Sequence, residues 1–146
     1  MPIGLLEIAT SARIRRARER LDRLEEMHDA LRLSEHYSQR EIAEVLGTTQ
    51  PRVHRMLKAM EGRSADVETP EEIILRAIVA DVDGPEREQM IQALIGYDYT
   101  FREYAPEPLE GAIEGTWDEV THASMTGLLS EEEYERVRDA VQPPRP

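Results

Sequence analysis

The chain has 146 residues, with 18 Lys and Arg against 30 Asp and Glu, a net charge of −12, and no cysteine. The missing cysteines exclude a disulfide framework and a thiolate metal site. No apolar run approaches the ~20 residues of a membrane-spanning helix. The first residues, MPIGLLEIATSAR, lack the charged-then-apolar order of a secretory leader, so a cytoplasmic protein is expected. Aromatics are only 5% of the residues, and Ala, Leu, Glu and Arg dominate, which favours an all-α fold. The charge is divided unevenly. Residues 1–63 hold 12 basic and 10 acidic side chains (+2), and residues 64–146 hold 6 and 20 (−14). Two regions with different tasks are the natural consequence. The expected domains are 1–63, a linker at 64–69, an acidic helical domain at 70–142 and a frayed tail at 143–146.

The spacing predicts a first helix over 11–33, with Ser11 as its N-cap. Ile14, Ala17, Leu21, Leu24, His28 and Leu31 recur at steps of three and four. Such a stripe either packs on its own domain or forms a dimer seam. Six arginines lie between Arg13 and Arg23. Arg16, Arg20 and Arg23 share one face, which suits phosphate contact or a solvated surface equally.

Residues 39–58 read QREIAEVLGTTQPRVHRMLK. Ile42 and Leu46 share one face of a short helix, with the small Ala43 beside them. Val53, Met56, Leu57 and Met60 follow the i, i+3, i+4, i+7 pattern of a second. Gly47 stands at the corner, where a positive φ costs glycine no Cβ clash. Thr49 is the expected N-cap of the second helix, and Pro51 is tolerated in its first turn. The opposite face carries Pro51, His54, Arg55 and Lys58, flanked by Gln50 and Arg52. No acid stands between Thr48 and Met60. Such a face suits the major groove, where Gln pairs with adenine and Arg with guanine. Ser38, Gln39 and Arg40, at the start of the first helix, are expected near a phosphate.

This segment resembles the helix-turn-helix of bacterial transcriptional regulators, of the Xre or phage-repressor type, and that of the DNA-binding end of sigma factors. Ala43, Gly47, Ile42, Leu46, Val53 and Met56 fall where that motif places small, glycine and apolar residues. Thr48 departs, since an aliphatic is commoner there. The match covers 20 of 146 residues. The resemblance implies base reading by Thr49, Gln50, Pro51, Arg52, His54 and Arg55. It implies phosphate contact by Ser38, Gln39, Arg40 and Lys58. It also implies a double-stranded operator and a homodimer.

Downstream, Thr69-Pro70-Glu71-Glu72 is a helix start, and the helix runs to about Ala80. Asp83-Gly84-Pro85 turns the chain into a helix at about 85–95, closed by Gly96. Tyr97–Gly115 is irregular, broken by Pro106, Pro108, Gly111 and Gly115, and its alternating aromatics suit an extended segment. Capping boxes at Thr116–Glu119 and Ser130–Glu133 begin helices at roughly 117–126 and 131–141. Asp118 and His122 stand four apart on one helix, the spacing of a metal half-site, but a surface helix also supplies such pairs by chance. No phosphate loop, dinucleotide fingerprint or catalytic constellation is present. No enzyme, metal or cofactor is expected.

The two-part layout is similar to that of antitoxins, in which one half binds the operator and the other blocks a toxin. The similarity implies a basic toxin protein as partner, steered by the acidic half. Tyr97, Tyr99, Phe101 and Trp117 are candidate anchors, or else ordinary core. The sequence-level expectation is a self-repressing antitoxin. The alternatives are a phage-type repressor whose acidic half only oligomerises, and a protein-interaction module with no operator.

Overall fold

The computed structural model describes residues 4–104 and 111–145, with the backbone alone at Tyr104 and Ala112. Pro106, Pro108 and Pro146, read above as breakers and tail, lie outside the described residues. Among these there are seven helices: α1 (Leu5–Leu33), α2 (Gln39–Leu46), α3 (Gln50–Ala59), α4 (Pro70–Val79), α5 (Gly84–Ile95), α6 (Trp117–Met125) and α7 (Glu131–Val141). The fold is all-α but for one departure. Strands β1 (Glu103–Tyr104) and β2 (Ala112–Ile113) pair antiparallel, with Glu103 opposite Ile113 and Tyr104 opposite Ala112.

Two compact units emerge, Met1–Arg18 with Thr69–Pro146, and Glu19–Glu68. One division falls at Glu68/Thr69, inside the expected linker. The other falls inside α1, so the described residues up to Arg18 group with the acidic region and not with the 1–63 domain expected from sequence. Ser11 is not an N-cap. The helix already runs from Leu5, and Ile8 N–H donates to Gly4 O at 3.2 Å. Nothing in LLEIAT breaks a helix, so the serine is absorbed into it. Along α1 the three-and-four stripe is covered within a single chain. Ala17, Leu21, Leu24 and His28 are buried, and Ile14 and Leu31 half-buried.

In the Glu19–Glu68 unit the core is Ala30 of α1, Ile42 and Ala43 of α2, and Val53 and Met56 of α3. Met27, Leu33, Leu46 and Leu57 pack around them. Ser38 closes a capping box on α2. Its hydroxyl accepts from Glu41 N–H at 3.2 Å, and its own N–H donates to Glu41 Oε1 at 3.2 Å. Ala65 and Asp66 are held onto α1 and do not hang as a free linker. His28 Nδ1 donates to Ala65 O at 2.9 Å, and Arg32 reaches Asp66 at 3.3 Å.

In the other unit α4 packs on α5 and α6, and α7 packs on α5 and α6. Thr69 and Glu72 form a buried capping box at the head of α4, and Arg76 reaches Glu72 at 3.2 Å. Ile74, Leu75, Leu94, Val120, Leu129 and Val137 are buried between the helices. Thr116 does not cap α6. Its backbone is already helical, with φ −65° and ψ −25°, and its hydroxyl instead accepts from Thr100 N–H at 2.8 Å. Gly115 is required there by space, because a Cβ would stand 2.4 Å from Thr100 O.

Candidate nucleic-acid interface

The α2–α3 pair is built by local signals. Gly47 ends α2 in the left-handed region at φ +69°. Its N–H donates to Glu44 O at 3.3 Å, and Thr48 N–H reaches back to Ala43 O at 2.9 Å. These two bonds satisfy carbonyls that the end of α2 leaves unpaired. Thr49 then starts α3, its hydroxyl accepting from Arg52 N–H at 3.3 Å, with Pro51 in the first turn. Three residues thus connect the two short helices.

The two sides of α3 differ sharply. Val53, Met56 and Met60 are buried, Val53 completely. Gln50, Pro51, Arg52, His54, Arg55 and Lys58 are exposed. The outward side of the helix is therefore not consumed by packing. Among the described residues Gln50, Arg55 and Lys58 have no hydrogen-bond or ion-pair partner. Two unneutralised cations one turn apart leave a positive strip on an otherwise acid-free helix.

No protein-family model, curated protein or solved structure matches the chain.

The other expected site residues are placed unequally. Arg52 is turned to Glu26 of α1, with an Nη2–Oε1 distance of 3.3 Å, and both partners are partly shielded. That pair is invisible in the sequence, because Glu26 and Arg52 belong to helices far apart along the chain. Thr49 and Ser38 lend their hydroxyls to helix caps. Gln39 is half-buried, and its amide meets His54 Nδ1 at 3.3 Å, which ties the start of α2 to the middle of α3. Arg40 is exposed and 3.7 Å from Glu44. A pair so open to solvent contributes about 0–1 kcal/mol and leaves the guanidinium accessible.

The four aromatics proposed as partner anchors gather into one cluster. Tyr99 stands edge-on to Trp117 at 5.0 Å between ring centroids, with Tyr97 at 5.0 Å and Phe101 at 6.4 Å from Tyr99. Trp117 is only 8% exposed, while Tyr97, Tyr99 and Phe101 are half-buried. Burial, reinforced by Tyr97 and Glu119, pushes the Tyr99 hydroxyl well above its ordinary range. That hydroxyl donates to Leu94 O at 2.5 Å. Asp118 is engaged by Gly115 N–H at 3.0 Å and by Arg102 at 3.4 Å, not by His122. Among the described residues no three His, Asp or Glu side chains gather as a metal site, and no helix is long and apolar enough to cross a membrane.

Proposed function

We propose that the chain is a sequence-specific transcriptional repressor that binds double-stranded DNA as a homodimer in the cytoplasm, at the nucleoid when bound. The observation that carries this proposal is the outward side of α3, which is exposed, acid-free and cationic while Val53, Met56 and Met60 on its inward side are buried. The resemblance of residues 39–58 to bacterial helix-turn-helix segments supports the same conclusion. In this scheme α3 enters the major groove, with Gln50, His54 and Arg55 nearest the base edges beside Pro51 and Thr49. Arg52 joins them only by giving up Glu26. Lys58, Arg40, Gln39 and Ser38 lie toward the phosphates. Two such helices one helical turn apart, about 34 Å, read an inverted repeat and block promoter access.

The acidic region supports a second task. Its balance of −14 over residues 64–146 suits a basic protein partner, which supports the reading of a self-repressing antitoxin. The two tasks are tested separately. Selection from a random duplex pool is expected to enrich an inverted repeat whose binding weakens steeply with salt. A pool that stays random overturns the repressor. Co-expression with the basic product of an adjacent gene is expected to give one complex on size exclusion. Separate elution removes the antitoxin task alone.

A further inference from the structure

A cavity of about 880 Å³ opens in the acidic unit, beside the first turns of α6, the end of α7 and the chain that follows it. Its size lies in the ~300–1,000 Å³ range of small-molecule sites. Phe101 and Trp117 supply aromatic lining. The polar lining carries Arg102, Arg138 and Arg145 against Asp118 and Asp139, a local balance of +1. Half of the six arginines in residues 64–146 thus line one cavity, within a segment whose own balance is −14.

These guanidinium groups are not equally committed. Arg102 is held by Asp118 at 3.4 Å and by Glu114 at 3.7 Å. Arg138 lies 3.4 Å from Asp139, a carboxylate open to solvent, and sits over the Tyr134 ring at 5.8 Å. Arg145 has no hydrogen-bond or ion-pair partner among the described residues. Aromatic walls recognise a flat ring, and two under-used guanidinium groups recognise an acid through paired N–H donors. We propose that this cavity binds a small flat aromatic acid, its ring against Trp117 and Phe101 and its acidic group on Arg138 and Arg145. The proposal goes beyond duplex binding and does not depend on it.

Trp117 is the sole tryptophan, so its indole N–H gives one signal in a ¹⁵N–¹H spectrum. The full chain is titrated with 2-naphthoate and with 2-naphthyl phosphate, a carboxylate and a phosphate on the same flat ring. Neutral 2-naphthol and cationic 2-naphthylmethylamine serve as controls. At least one acid is expected to shift the indole signal saturably, at least about tenfold more tightly than either control. The tighter of the two acids identifies the anionic group. Arg145→Glu, on exposed chain, is expected to weaken that binding about tenfold with an unchanged ligand-free Tm. The proposal is overturned by an indole signal that neither acid moves, by equal binding of 2-naphthol, or by an Arg145→Glu chain that binds as well as the parent.

Discussion

In residues 64–146 five of the six arginines are tied to a carboxylate: Arg76 to Glu72, Arg87 to Glu133, Arg102 to Asp118, Arg136 to Glu88 and Arg138 to Asp139. On α3 the reverse holds for Arg55 and Lys58, which have no acidic partner among the described residues. Arg76 and Glu72 share α4 and Arg138 and Asp139 share α7, whereas the other three pairs clasp separate elements. Arg87 shows this best, since it joins α5 to Glu133 of α7 and also donates to Leu128 O at 3.0 Å. Burial pushes the Glu133 carboxyl up, yet Arg87 and Ser130 hold it below its ordinary range. An unneutralised cation is instead available to a phosphate. The whole-chain charge of −12 therefore says little about α3, because exposed charges farther away than about 8 Å are screened at physiological salt.

The largest expected effect tests whether the two units fold separately. Ile42→Ala removes a fully buried side chain from the α2–α3 core and should cost about 2–5 kcal/mol. In urea, the far-UV circular dichroism transition of the variant should split. The Trp117 fluorescence midpoint, which reports the acidic unit, should stay at the parent value. A Trp117 midpoint that falls by the same amount breaks the separation.

The next effect asks whether the two free cations of α3 differ in kind. Arg55→Ala should cost about 1–3 kcal/mol on the selected site and relax its base preference. Lys58→Ala should weaken specific and random duplexes alike and lower the salt slope by about 1. Equal losses on both DNAs for Arg55→Ala would assign it to the backbone, not to the bases.

Smaller still is the corner. Gly47→Ala forces a Cβ onto φ +69° and should cost about 1–2 kcal/mol in thermal denaturation, although no neighbouring atom would clash. An unchanged Tm would mean that the turn relaxes freely.

The smallest effect belongs to the clasps. Arg136 grips Glu88 at 2.5 and 2.7 Å, and with Gln92 it lowers that carboxyl from 4.5 to about 2. The folded value lies below the unfolded one. The stabilising contribution is therefore present above pH 4.5 and lost as pH falls toward 2. Carboxyl NMR titration should place the Glu88 midpoint near 2 in the parent. Arg136→Gln should move it back toward the ordinary glutamate value. A midpoint that ignores the substitution refutes the clasp.

The sequence by itself determined the features that depend on neighbours along the chain. Thr69 and Ser130 cap α4 and α7 through residues three positions on, Gly47 turns because it lacks a Cβ, and the two faces of α3 follow from its period. Local rules misjudged Ser11 and Thr116, because α1 had no breaker before Ser11 and Thr100 took the Thr116 hydroxyl. Only the tertiary structure decided which cations stay free. It paired Arg52 with Glu26, bound Ala65 and Asp66 to His28 and Arg32, and brought Trp117, Arg138 and Arg145 around one cavity. It also put the unit boundary inside an unbroken helix. A cap is settled over three or four residues, whereas a charge is neutralised by whichever element folding brings beside it.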